Sequence, residues 1–212
     1  SLNPAAEMRE PLTIEEVLAS PVVADPLHVL DCSLWSDGGG AVVVVAAERA
    51  ADFPNRPVYF LGCGEAHWHE HLFQARSLTT TAAAESGPRA FEMAGVDARE
   101  VDFAEVYDCF TPVVIMELED LGFCPKGEGG RFVESGNIEL RGSLPVNTHG
   151  GLLSHSHTGH PGSMFALTEA VTQLRGTAGE RQVNGAELGL VHGQGGVLSS
   201  HSTLILGSEA TL

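Results

Sequence analysis

Between Asn147 and Gly162 the chain reads Asn-Thr-His-Gly-Gly-Leu-Leu-Ser-His-Ser-His-Thr-Gly-His-Pro-Gly, which sets His155, His157 and His160 beside a flexible Gly-Gly pair. Glycines let the backbone approach a ligand closely. Pro161 then opens an amphipathic pattern, and a helix start offers unpaired N–H groups and a positive dipole end. Imidazole donors beside such a helix start suit the stabilisation of a negative charge developing on a carbonyl oxygen. Two further segments carry reactive types. Val106-Tyr107-Asp108-Cys109-Phe110-Thr111 brings a phenol, a carboxylate and a thiol together, and His192-Gly193-Gln194-Gly195-Gly196 sets a histidine before a glycine turn. Tyr107 can donate through its phenol, and could act as acid or base if its pKa were lowered. Cys109, in the Tyr-Asp-Cys-Phe string, reads as a small buried hydrophobe rather than a nucleophile. In His67-Trp68-His69-Glu70-His71, alternate residues of a strand would offer three metal ligands on one face, but the segment reads as a loop with a solvated or interface role.

The order and spacing of these segments resemble the thiolase superfamily, especially the branch of the sterol-carrier-protein thiolases. There an Asn-x-x-Gly-Gly segment is followed, six residues after its second glycine, by a catalytic histidine. Counting from Gly151 gives His157. Tyr-Asp-Cys-Phe at 107–110 is similar to the branch's His-Asp-Cys-Phe motif, and His192–Gly196 is similar to its C-terminal glycine turn. The likeness runs from Asn3-Pro4 through Ser36-Asp37-Gly38-Gly39-Gly40 to Leu206. It implies His157 and Tyr107 as oxyanion donors and Gly193 as a backbone donor. His192, His160 and Asp108 are the reserve candidates, His160 because Gly159-His160-Pro161 repeats the family's Gly-His-Pro string three residues late. Standard thiolases carry an acid/base cysteine where this chain has Val191, so either His192 has taken over proton transfer or the Claisen step is absent.

The resemblance further implies an acyltransferase of the acetyl-CoA acetyltransferase class in lipid metabolism, with its nucleophilic cysteine outside this chain. No covalently bound cofactor or metal is expected, and a coenzyme A thioester is the substrate. Tyrosine at 107 also resembles retro-aldolase relatives that cleave steroid side-chain CoA adducts, which leaves a β-hydroxyacyl-CoA aldolase with a small OB-fold partner as the alternative. Those relatives place tyrosine at the position of His157 as well. A degenerate, non-catalytic subunit is the third reading. The first residue, Ser1, is not methionine, which suggests either a fragment lacking the N-terminal thiolase half or a naturally split subunit. The exposed sister-half surface would then drive homo-oligomerisation.

The chain's 212 residues, 43% hydrophobic and 18% charged, can bury one substantial core. A net charge of −17 with eleven Lys and Arg argues against nucleic acid and anionic membranes. No apolar run approaches the roughly 20 residues that span a bilayer, and with no signal-peptide pattern the expected compartment is cytoplasmic. Cys32, Cys63, Cys109 and Cys124 form no Cys-x-x-Cys pair and read as reduced thiols.

The elements that must position these groups alternate between strand and helix, the pattern of an α/β core. Thr13 and Glu16 form a capping box for a helix to Ala19. Ala41–Ala47 reads as a strand buried on both faces, the last of the first half. Residues 52–57 mark a boundary between a tail of that half (1–53) and a C-terminal thiolase-like domain (54–212). A strand is expected from Val58, a helix over 79–95 broken or restarted at Pro88, a strand at 103–106 and a helix at 113–121. A surface loop or hairpin follows at 125–142, then a helix from Met164 to before Gly176 and paired strands at 188–192 and 202–206. The expected fold is a thiolase-like half, a mixed five-stranded sheet with helices on both faces.

Overall fold

The computed structural model describes residues 2–159 and 161–212. Thr13 caps α1 (Ile14–Ala19) as its sequence predicts, with Thr13 N donating to Glu16 Oε2 at 2.7 Å and Glu16 N donating to Thr13 Oγ1 at 3.2 Å. A small antiparallel ribbon follows, β1 (Val22–Ala24) on β2 (Leu27–His28). The expected strand at Ala41–Ala47 does not form, and Val43 and Val44 are 82% and 86% exposed. A strand needs a neighbouring edge to satisfy its N–H and C=O groups, and no described strand of this chain pairs with the run. Its apolar character is left facing outwards.

Four strands make the main sheet: β3 (Tyr59–His67), β4 (Phe103–Glu105), β5 (Leu188–Gly195) and β6 (Ser200–Gly207), in the order β3-β6-β5-β4. The β3/β6 and β5/β6 pairs are antiparallel and β4/β5 is parallel, so the sheet is mixed as expected but has four strands rather than five. Beyond β4 the ladder shrinks to one isolated bridge between Ala104 and Val146. Pro145 lacks the N–H that a ladder needs, and Asn147, at φ 49°, turns the chain away.

Helices cover both faces. Leu190 and Ile205 join the core under α2 (Ala83–Ala94) and α3 (Thr111–Asp120). The region expected to be a loop or hairpin at 125–142 holds a short helix, α4 (Gly129–Glu134). Past α5 (Gly151–Ser154), the helix α6 (Gly162–Leu174) presents Ala166, Ala170 and Leu174 to Val191 and Leu206 on the other face. Alternating residues of β5 and β6 thus feed two cores. Leu174, Leu190 and Ile205 are each completely buried, a burial worth about 1.5–3 kcal/mol per side chain.

Helix α2 continues through Pro88 where a break or restart was expected, although proline inside a helix costs about 3 kcal/mol. Its packing supplies the offset. Gly62 and Gly64 let α2 lie directly on β3, since a Cβ at either would fall on the carbonyl oxygen of Ala90 or Ser86. Ser86 also reaches Thr203 Oγ1 through its hydroxyl at 2.8 Å, and Arg89 donates to the Glu65 carbonyl.

Candidate active site

The loop leaving β4 and the loop entering α5 are tied together by a buried carboxylate. Asp108 accepts from Leu152 N at 2.7 Å and Leu153 N at 3.4 Å, and a Cβ at Gly151 (φ 63°) would fall on its oxygens. Glycine at 151 therefore makes room for Asp108 rather than for a ligand. A second tie comes from Asn147, whose side-chain oxygen accepts from Val106 N at 2.8 Å. Burial pushes the Asp108 carboxyl up, against the two backbone N–H groups that favour its charge.

These ties bring together two residues 50 positions apart: Tyr107 Oη lies 3.0 Å from His157 Nε2, the rings edge to face at 84°. On the far side of the imidazole, Ser33 Oγ lies 2.9 Å from Nδ1. The strand-like segment 33–36 is laced onto both loops. Ser33 N donates to the Cys109 carbonyl at 2.9 Å, Leu34 N to the Leu152 carbonyl at 3.1 Å and Ser36 N to the His157 carbonyl at 3.1 Å. Ser36 Oγ in turn accepts from His157 N at 2.9 Å. Sequence reasoning missed Ser33, because a lone serine over a hundred residues upstream carries no spacing signal.

Desolvation holds the His157 imidazole below its ordinary pKa, so it is neutral at pH 7. Tyr107 is pushed up to about 12, first by burial and then by Cys109, Glu117 and Asp108. The sequence left open a base role for Tyr107 through a lowered pKa; the shift runs the other way and keeps the phenol protonated. The pair can nonetheless move a proton in concert. With Ser33 donating to Nδ1, Nε2–H donates to Tyr107 Oη and leaves the phenol proton free for a carbonyl oxygen. In the other tautomer Nε2 accepts the phenol proton, and Oη can take one from a substrate hydroxyl.

Burial likewise pushes the Cys109 thiol up to about 12, with Glu117 and Asp108 adding to it. At about pH 8 only about one molecule in ten thousand would carry a Cys109 thiolate. Iodoacetamide at that pH is therefore expected to leave Cys109 unmodified in the folded protein, as read by peptide mass spectrometry. Rapid alkylation would return it to consideration as a nucleophile.

The other candidates separate. Gly193 lines a cavity of about 370 Å³ with Ser163, Met164, Gln194 and His201, and a Cβ there would meet Ser163 Oγ at 2.8 Å. His157 approaches the same corner from the neighbouring residue, since a Cβ at Gly162 would meet its Cδ2 at 3.2 Å. Gln194, which sequence reasoning also missed, points its Nε2 at Cys109 Sγ from 4.0 Å. His192 projects to the opposite face of β5, fully buried against Thr203, His201 and Glu117. That face is not Gly193's, so His192 is not in place to exchange a proton with a substrate beside Gly193. His160 lies outside the described residues. The histidines of 67–71 find three separate partners: Ser200 for His67, the Val197 carbonyl for His69, and Phe73 stacked on His71. Among the described residues no helix is long and apolar enough to cross a membrane.

The loop rests on buried charge. His149 Nδ1 meets Glu105 Oε2 at 2.7 Å, Thr148 Oγ1 donates to Glu105 at 2.7 Å, and Glu169 is paired with Arg181 at 2.9 Å. Burial opposes charge on His149, but Glu105, with Asp108 and Glu169 adding to its effect, outweighs burial and raises the pKa.

Comparison with known proteins agrees with this architecture. Residues 64–208 match the family described as "Thiolase C-terminal domain-like". An acetyl-CoA acetyltransferase of Methanothermobacter thermautotrophicus is 42% identical over 197 residues, covering 92% of this chain and 51% of the relative. A 17-hydroxy-3-oxo-4-pregnene-20-carboxyl-CoA lyase of Mycobacterium tuberculosis is 38% identical over 203 residues, covering 93% of this chain and 51% of the relative. Among solved structures, the Ltp2-ChsH2(DUF35) aldolase superposes with a TM-score of 0.86 at 32% identity, covering 100% of this chain and 55% of that one. The chain thus spans about half the length of the relatives it matches. Those relatives are enzymes of two kinds, acetyltransferases and aldolases or lyases, and by both the family match and the identity to them this chain belongs to the thiolase C-terminal domain-like family.

Proposed function

We propose that this chain supplies the C-terminal part of an active site that cleaves a carbon–carbon bond in a β-hydroxyacyl-CoA by a retro-aldol reaction. The observation that carries this is the hydrogen bond between Tyr107 Oη and His157 Nε2, backed by Ser33. In the cleavage step the β-hydroxyl gives its proton to Tyr107 Oη while the phenol proton passes to His157 Nε2. The Cα–Cβ bond breaks, the β-carbon becomes a ketone or aldehyde, and the electron pair moves onto the thioester as an enolate. The enolate carbon then takes up one proton, the equivalent of the one left on His157, which returns to neutral as the shortened acyl-CoA is released. A phenol with a pKa near 12 does not ionise alone, so the neutral imidazole behind it supports the concerted transfer.

Acyl transfer is the second reading, favoured by the 42% identity to an acetyl-CoA acetyltransferase. It would need a nucleophilic cysteine outside this chain and an acid/base group where the family comparison sets Val191, a buried apolar residue. In this second reading Tyr107 and His157 would donate to the thioester carbonyl oxygen rather than accept from a β-hydroxyl, and in both a second thiolase half would cover the exposed Trp35, Val43 and Val44. The resemblance to a solved aldolase whose name joins Ltp2 to ChsH2(DUF35) supports a second protein as partner, and the names of the acetyltransferase and lyase relatives support a coenzyme A thioester as substrate.

Incubating the complete enzyme with a β-hydroxyacyl-CoA, and separately with acetoacetyl-CoA plus coenzyme A, discriminates between these readings. Formation of a free carbonyl product with little thiolysis is expected. Thiolysis without carbonyl release would instead establish acyl transfer, and inertness on both substrates would leave an acyl-CoA-binding subunit.

A further inference from the structure

On the face of the sheet away from Gly193, three side chains that the chemistry above does not use converge in the core. Glu117 comes from α3, His192 from β5 and His201 from β6, and they are 0%, 0% and 1% exposed. His192 Nε2 lies 2.9 Å from His201 Nδ1 and 3.7 Å from Glu117 Oε1, and the three donor atoms all fall within 4.8 Å of one another. We propose that they form a binding site for one divalent transition-metal ion of the zinc or cobalt class.

Glu117 Oε2 accepts from Tyr107 N at 3.0 Å, but Oε1 is buried with no hydrogen-bond partner. A buried acceptor left unpaired costs about 1–3 kcal/mol, and more for a charged group. A cation among the three donors removes that cost. The donor set points the same way: two imidazole nitrogens and one carboxylate oxygen suit zinc, cobalt or nickel, whereas magnesium and calcium prefer oxygen alone. Distances agree. Ligand bonds of about 2.0–2.2 Å allow two donors of one ion to be up to about 4.2 Å apart. The two measured separations, 2.9 and 3.7 Å, fall inside that limit.

The surroundings of His192 are those of an oriented ligand. His192 Nδ1 lies 2.9 Å from Thr203 Oγ1, which lies 2.8 Å from Ser86 Oγ. A hydrogen bond of this kind on the second ring nitrogen fixes the tautomer of a metal-bound histidine. On binding, the proton shared between His192 and His201 leaves Nε2 of His192, and Nδ1 takes one to donate to Thr203. Both facing nitrogens then carry lone pairs. Because Glu117 holds Tyr107 N, an ion here would staple α3 to the sheet and stiffen the backbone beneath Tyr107.

The test treats the purified protein with a chelator and titrates it with Co2+, read by visible absorption. One ion per chain is expected, with the strong d–d bands of a four- or five-coordinate N/O site, and added Zn2+ should raise the thermal unfolding midpoint. Glu117→Gln and His201→Gln should each abolish the bands. Bands that persist in both variants would place the ion elsewhere and overturn the proposal. A folded wild-type protein, checked by circular dichroism, that leaves Co2+ with the weak spectrum of the hydrated ion would also overturn it, whatever the variants do.

Discussion

Tyr107→Phe in the complete enzyme is expected to lower carbon–carbon cleavage by about a hundredfold or more while leaving thermal stability nearly unchanged. The phenol is half-buried and its one described partner is His157 Nε2. Removing it deletes the group that relays the β-hydroxyl proton to His157, and a positioned acid–base group contributes roughly a hundredfold to ten-thousandfold, with little loss of packing. His157→Ala should lose a similar factor, since it removes the group that takes the phenol proton. The double variant should lose little more than either single one, because residues that act as a unit are not additive. If thiolysis survives Tyr107→Phe while cleavage is lost, the tyrosine serves the aldol step. Equal losses would mark a shared oxyanion hole, and full activity of both single variants on every acyl-CoA would remove these residues from the site.

Glu105→Ala should be the most damaging single change to the fold, by about 3–5 kcal/mol in chemical unfolding. Glu105 is 0% and His149 4% exposed, and truncating one partner leaves the other's charge buried and uncompensated. The pH dependence checks the cause. Glu105 raises the folded pKa of His149 above its ordinary 6.5, so the stability from this pair is fully present below about pH 6.5 and is lost as pH rises through the folded value. The gap between wild type and Glu105→Ala should therefore narrow as pH rises. A gap that stays constant from pH 5 to pH 9 would show that the pair contributes packing alone.

Much of the fold was legible because it rests on local rules. The capping box at Thr13, the apolar period of α6 and the paired strands around the glycine turn all formed as their patterns imply. What failed depended on neighbours distant in sequence or absent from the chain. Ala41–Ala47 has the composition of a central strand but no edge to pair with, and α2 survives Pro88 only because Gly62 and Gly64 let it press onto β3. The meeting of Tyr107 and His157 followed from family spacing, and the geometry agrees with it. Ser33 and Gln194 could not be found that way, since each is a common polar residue whose role arises only when separate segments converge. The metal-like cluster is similar: the His67–His71 string drew attention in sequence, while Glu117, His192 and His201 are contributed by three different elements.

The most direct measurement is a crystal structure of the complete enzyme with an unreactive acyl-CoA analogue bound. The thioester carbonyl oxygen or the β-substituent is expected about 2.7–3.1 Å from Tyr107 Oη, with His157 Nε2 behind it and Ser33 still on Nδ1. An analogue whose reacting atoms sit out of hydrogen-bond reach of both Tyr107 and His157 would contradict the account.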